Sequence, residues 1–199
     1  MVSNDQPRLE RRAAVAQLVA SVPESLIVTG LGSPTYDVHA AGDDDRNYYL
    51  WGAMGGAALV GLGIALAQPD RRVLVITGDG EQLMAIGGLT TIAVAKPDNL
   101  DIVVLDNERY GETGMQESHT ARGADLAALA ATSGFVDTAV INTPAGLDDL
   151  LAGALAQPAS GPRLFVIKIS DESPPRSMPS RDAVFIKNRF RANLDLAPN

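Results

Sequence analysis

The chain contains no cysteine, which removes a disulfide framework and every thiolate metal site from consideration. It also lacks a basic surplus. With 16 Lys and Arg against 24 Asp and Glu, a formal net charge of −8 and a pI of about 4.7, it has no electrostatic footprint for nucleic acid or an anionic membrane, and neither is expected as a partner. Long apolar runs are missing too. The longest, residues 57–67, is broken by Gly61 and Gly63 and falls short of the ~18 residues a membrane span needs. The first residues, "MVSNDQPRLERRAAVAQLVA", lack the basic-then-apolar layout of a secretory leader, so a cytoplasmic setting is expected. No internal repeat is found.

What is present is ample apolar material. At 199 residues and 46% hydrophobic content, the chain can bury a sizeable core and has the length of one domain. The expectation is a single domain over residues 1–199, with a Pro/Ser-rich linker at 170–180 and a last helix at 181–195, capped by Ser180 and carrying Ile186, Phe190 and Leu194 four apart. Residues 8–20 have a mixed helical pattern and "SLIVTG" reads as a short buried strand. "DDDRNYYLWGAMGG" reads as a loop whose acid cluster, Asp43 to Asp45, is a solvated turn. Residues 53–68 are small or apolar on almost every face and predict a helix packed on all sides. "RVLVITGDG", a helix over 81–95 and "LDIVVLDN" form a strand-helix-strand unit, and the alternation continues through "ADLAALAATSG", "TAVIN", "AGLDDLLAGALAQ" and "RLFVIKI". The fold class that follows is α/β, a doubly wound, mainly parallel sheet with ligands at the carboxyl ends of its strands.

Two of those strands end in chemistry. Gly78-Asp79-Gly80 closes one and Asp106-Asn107 the next, so Asp79 and Asn107 can converge on one crevice. A carboxylate and an amide oxygen with no histidine or cysteine beside them suit a hard cation such as Mg²⁺, which completes its octahedron with phosphate oxygens and water. The glycines beside Asp79 let a ligand approach the backbone, and a helix starting near Glu81 would aim its unpaired N–H groups there. No Lys or Arg occurs from Val73 to Ala95, so this is not a Walker loop, and metal and backbone must meet the anion instead. An Asp-Gly turn is the bland alternative for the triplet alone. "GLGSPT" holds only the first two glycines of G-x-G-x-x-G, weak support for a dinucleotide site.

G-D-G followed after some 25 residues by an asparagine pair or D-N resembles the signature of thiamine diphosphate enzymes. "TGLGSPTYDV", "NYYLWGAMGGAALVGLGIALAQPDRRVLVITGDG" and "DNERYGETGMQESHT" look like the diphosphate-binding domain of the 2-oxo acid decarboxylases, most of all the sulfopyruvate and phosphonopyruvate decarboxylases, where that half can be a separate subunit. The resemblance implies thiamine diphosphate and Mg²⁺ as cofactors. It implies that Asp79, the Asn107 side chain and the Arg109 backbone carbonyl hold the metal. Gly78, Gly80 and Glu81 would meet the diphosphate, with Gly32 and Ser33 touching it from the other side; Pro34 is unusual there. In "LWGAMGG", the Gly52 carbonyl and Ala53 would border the cofactor, and Met54 would prop it into its bent form. Tyr110 and Gly111 would complete the wall, with Gln116 beside them.

The same family activates the cofactor with a glutamate from a pyrimidine-binding domain. One α/β sheet uses up these 199 residues, so a partner subunit carrying that glutamate is expected, in a hetero-oligomer with two or more copies; the glycine-rich helix 55–67 suits close packing on a neighbour. The implied reaction converts a small 2-oxo acid into an aldehyde and CO₂. His119 is the candidate for reaching the substrate or supplying a proton, against the alternative of a solvated loop histidine, while His39 reads as structural. Arg109, His119 and Arg122 are the cations of that loop. The rival readings are a carboligase of acetolactate-synthase type and a non-catalytic nucleotide-binding or regulatory module.

Overall fold

The computed structural model describes residues 8–197. In chain order the strands are β1 (Leu26–Thr29), β2 (Asn47–Tyr49), β3 (Val73–Gly78), β4 (Leu100–Asp106), the short pair β5 (Arg109–Tyr110) and β6 (Gln116–Glu117), β7 (Asp137–Ile141) and β8 (Arg163–Lys168). Six of them form one parallel sheet in the order β2-β1-β3-β4-β8-β7, and β5 and β6 make a small antiparallel ribbon. Parallel neighbours require crossovers. These are supplied by helices α2 (Ser33–Ala41), α3 (Ala57–Ala67), α4 (Asp79–Met84), α5 (Gly88–Ala95), α6 (Leu126–Ser133) and α7 (Pro144–Ala152), with α1 (Arg11–Ser21) and α8 (Ala183–Asn193) at the ends.

The continuous apolar runs of β3 and β4 exist because both faces are covered. Leu74, Ile76, Val103 and Leu105 pack with Val15 and Leu18 of α1 and Leu147 and Leu150 of α7. Their alternates Val73, Val75, Ile102 and Val104 pack with Leu62 of α3, Ile92 of α5 and Leu126 of α6. Period-two alternation thus feeds two cores, as the doubly wound arrangement demands.

Several expectations need correction. The loop read over 43–56 contains β2, whose three residues are too few to show a period but are rich in strand-favouring tyrosine. Its acid cluster does lie at the surface as expected, and there Asp43 pairs with Arg189 at 2.7 Å and Asp44 with Arg46 at 2.8 Å. The helix expected over 81–95 is two helices, interrupted before the Gly87-Gly88 pair, where helix propensity is lowest. The helix expected to be packed on all sides leaves Leu59 40% and Leu66 57% exposed. Helix α8 is capped by Asp182, which accepts from the Val184 and Phe185 amides, while the Ser180 hydroxyl accepts from the Asp182 amide, outside the helix. Residues 170–182 have no regular structure yet are strapped down: Arg12 holds the Pro175 carbonyl at 2.8 Å, His39 Nδ1 the Ser177 hydroxyl at 2.7 Å, and Trp51 Nε1 the Ser180 carbonyl at 2.9 Å.

In α3, Gly61 faces the chain's own sheet, where an added Cβ would stand 2.3 Å from a Val75 methyl, while Gly63 has nothing within 4 Å. The two glycines should therefore respond oppositely to alanine. Gly61→Ala overpacks a β-branched core and should cost about 1–3 kcal/mol, whereas Gly63→Ala should gain about 0.5–1 kcal/mol through helix propensity. Thermal melts of the two variants check this; equal shifts would contradict the packing of α3.

Candidate active site

Chain direction across the sheet reverses between β1, which leads outward to β2, and β3, which leads the other way to β4. In open α/β sheets the crevice at such a point, beyond the carboxyl ends of the strands, is where ligands bind. Here the loops after β1, β3, β4 and β8 converge on one cleft. The β1 loop contributes Leu31, Ser33 and Pro34, and the β3 turn contributes Gly78, Asp79, Gly80 and Glu81. The β4 loop brings Asn107, Arg109, Tyr110, Gly111, Glu112 and Thr113, while Ile169 follows β8 and Arg11 enters from α1.

Register decides the electrostatics. Gly78 pairs with Leu105, so the next residues, Asp79 and Asp106, are neighbours at 2% and 1% exposure. Lys168 on β8 answers Asp106 at 2.7 Å and Glu108 at 3.0 Å, and Arg8 answers Glu108 at 2.6 Å. Burial alone would lower the Lys168 pKa, but the two carboxylates outweigh it and hold the ammonium charged. Asp79 has no such partner. It accepts from the Ser118 hydroxyl, and the Thr120 hydroxyl lies 3.2 Å from its Oδ2 and 2.8 Å from Asp106 Oδ1. Burial first, and then the Asp106 charge, push the Asp79 pKa up to about 6. Glu81 is also raised by burial; Thr77 donates to its Oε2 at 2.9 Å, its Oε1 has no hydrogen bond, and the amides of Leu31, Gly55 and Ala57 favour its charged form.

Of the residues singled out in the sequence, Ser33, Met54, Gly78, Asp79, Gly80, Glu81, Asn107, Arg109, Tyr110 and Gly111 line the cleft, whereas Gly32, Gly52, Ala53, Gln116 and His119 do not. Met54 is 46% exposed, so it is not core filler. Asn107 Oδ1 accepts from the Arg109 amide at 3.0 Å and keeps a second lone pair. Gly80 is required by the wall: an added Cβ would lie 2.6 Å from the Tyr110 ring. His119 stands exposed behind that ring, its Nδ1 2.8 Å from the Tyr110 hydroxyl. Arg122 pairs with Glu117 at 2.7 Å and its side chain is 77% exposed.

Sequence reasoning missed Ser118, Thr120, Lys168 and Arg11. The first three become relevant only once the β3–β4–β8 register is known. Arg11 did leave a signal: it occupies the buried stripe of α1 with Ala14, Val15 and Leu18, a charge where the helical period calls for an apolar residue. Helix α2 was also legible, through Pro34 in its first turn.

The family description "Thiamine pyrophosphate enzyme, C-terminal TPP binding domain" matches residues 35–168. The sulfopyruvate decarboxylase subunit beta of Methanothermobacter thermautotrophicus is 42% identical over 127 residues, covering 64% of this chain and 68% of the relative. The phosphonopyruvate decarboxylase of Streptomyces viridochromogenes is 36% identical over 197 residues, covering 96% of this chain; the chain spans 48% of that relative's length. Among solved structures, benzoylformate decarboxylase from Polynucleobacter necessarius shares the fold, with a TM-score of 0.69 at 23% identity over 84% of this chain and 34% of that one. The chain thus belongs to the thiamine pyrophosphate enzymes, among their decarboxylases, and carries the C-terminal TPP-binding domain of that family.

Proposed function

We propose that this chain is the diphosphate- and Mg²⁺-binding subunit of a heteromeric decarboxylase that acts on a small 2-oxo acid bearing a second anion, of the sulfopyruvate or phosphonopyruvate kind. The observation that carries the reading is Asp79: a buried carboxylate at the switch point, with no Lys or Arg paired to it among the described residues, beside an asparagine oxygen. A divalent cation would offset that charge. Among the described residues no cluster of three or more His, Cys, Asp or Glu side chains could hold a metal, so the donors are few, hard and oxygen-based, the set from which Mg²⁺ borrows phosphate and water ligands. The metal ligands in this proposal are Asp79, the Asn107 side chain and the Arg109 carbonyl.

When bound, thiamine diphosphate supplies the electron sink that accepts the electron pair left as CO₂ departs. The chain's residues position and shield. Ser118 and Thr120 hold Asp79 in one rotamer, and Lys168 neutralises Asp106 so that a single net charge faces the cation. Met54, at the cleft, is the prop for the bent cofactor. His119, whose Nδ1 is engaged by Tyr110, is assigned to the substrate side, with its Nε2 for the second anion or the product proton. The pyrimidine-binding half and its glutamate come from a partner subunit, a reading supported by relatives named as beta subunits and by exposed Leu59, Leu66 and Met84.

Three outcomes follow. Purified chain should be silent and gain 2-oxo acid decarboxylation only with an alpha-type partner; turnover by chain shown free of partner by mass spectrometry would overturn the heteromeric reading. In the reconstituted enzyme, His119→Ala should lower kcat/KM for dianionic substrates about tenfold or more while cofactor affinity holds, and an unchanged kcat/KM would remove His119 from the site. Asp79→Asn should abolish Mg²⁺-dependent cofactor binding yet stabilise the empty protein. Because the folded pKa is raised to about 6 from 3.8, the neutral acid's stabilisation is complete below about pH 4 and lost as pH rises through 6, leaving a penalty on the order of 3 kcal/mol at neutral pH. The melting-temperature advantage of Asp79→Asn over wild type should grow from pH 4 to 7; an advantage flat across that range would contradict the buried-charge account.

A further inference from the structure

Arg11 is 5% exposed and points from the buried stripe of α1 into a cluster with α2. Its Nε donates to Asp37 Oδ2, and Arg12 Nε donates to Asp37 Oδ1 at 3.2 Å. Asp37 is fully buried, so one carboxylate answers two guanidiniums and a positive charge is left over. Arg12 spends its outer edge on the Pro175 carbonyl and reaches solvent. The Arg11 terminal nitrogens donate to no described residue and open on the cleft lined by Asp79 and Asn107. Arg163 shows what a stapling arginine looks like in the same chain. Equally buried at 5%, it uses Nε on Asp101 and its terminal Nη1 on the carbonyls of Ala154 and Gln157. A guanidinium edge without a protein acceptor that opens on a cleft is an anion site in waiting.

Its position selects the anion. Arg11 opens α1 three residues after Arg8, whose Nη1 is 3.4 Å from the Asn107 carbonyl, and Asp37 lies one turn along α2 from Ser33. The guanidinium is therefore tied to the loops after β1 and β4, on the side of the metal ligands. We infer that Arg11 is a ligand of the cofactor's diphosphate, donating through its terminal nitrogens to phosphate oxygens as a second cation beside Mg²⁺. This rests on the proposed cofactor reading, and Arg11 falls outside residues 35–168 that match the family description.

Calorimetric titration of the full chain with inorganic pyrophosphate and with orthophosphate, both in excess Mg²⁺, tests the inference without reference to turnover. Wild type should bind pyrophosphate and prefer it to orthophosphate. Arg11→Met should weaken pyrophosphate about tenfold or more and narrow that preference. Arg11→Lys keeps the charge, loses the planar fork and should fall between, giving an answer even if Arg11→Met does not fold. Pyrophosphate affinity unchanged in Arg11→Lys and in folded Arg11→Met would overturn the assignment alone, and a raised KM for a dianionic 2-oxo acid in the reconstituted Arg11→Lys enzyme, at unchanged pyrophosphate affinity, would reassign Arg11 to the substrate. Wild type that binds no Mg²⁺-pyrophosphate would overturn the cofactor reading and this inference together.

Discussion

Parallel pairing of β3 with β4, in the register that sets Gly78 beside Leu105, forces Asp79 and Asp106 into one dry corner. Two carboxylates in low dielectric repel strongly unless something intervenes. The chain resolves the conflict unevenly. β8, on the far side of β4, brings Lys168 to Asp106, and Arg8 and Lys168 share Glu108. Asp79 receives hydroxyls and the Gly80 amide but no cationic side chain among the described residues. Under the proposed reading the asymmetry is what makes a cation site: one acid is neutralised by the fold and the other is left for a ligand, at the place where the sheet topology already opens a crevice.

One excursion of chain serves both sides of that arrangement. Residues 107–123 leave β4, turn back through the β5–β6 ribbon and return as a 3₁₀ turn over His119–Arg122. On the way out, Tyr110 becomes a wall of the cleft, its ring close against Gly80. On the way back, Ser118 and Thr120 reach beneath and grip Asp79. Wall and floor are thus covalently coupled through a handful of residues, and neither can shift alone. Function carried on a loop held by a rigid sheet is the usual division of labour; here the loop also braces the sheet end from which it starts.

The strand-helix alternation, the two buried central strands and the placement of Asp79 and Asn107 on one cleft were legible because each rests on local composition: unbroken apolar runs, glycine turns and polar residues at strand ends. What escaped was set by long-range geometry. Lys168 reads as an ordinary strand-end lysine until β8 is known to sit beside β4. The three-residue strand β2 owes its existence to the neighbouring β1, and Tyr48 on it owes its place to Phe190, 142 positions later, with rings 5.4 Å apart edge to face. The Gly87-Gly88 break in the helix read over 81–95 was in plain view, and helical periodicity on both sides masked it. His119 was placed by its loop, but only the fold shows it one residue removed from the cleft, behind Tyr110.

The strap over residues 170–182 has a consequence for how the molecule can be watched. Trp51 is the only tryptophan in the chain, and it lies under that strap: its indole N–H holds the Ser180 carbonyl, the Arg181 guanidinium covers its face at 5.6 Å, and the Tyr36 ring stands 6.5 Å away. Three residues further on, Met54 borders the cleft. Indole emission in this protein therefore comes from one spot, wedged between the strap and the rim of the cleft. The protein carries its own fluorescent gauge of whether that strap is seated, with no other indole to blur the signal.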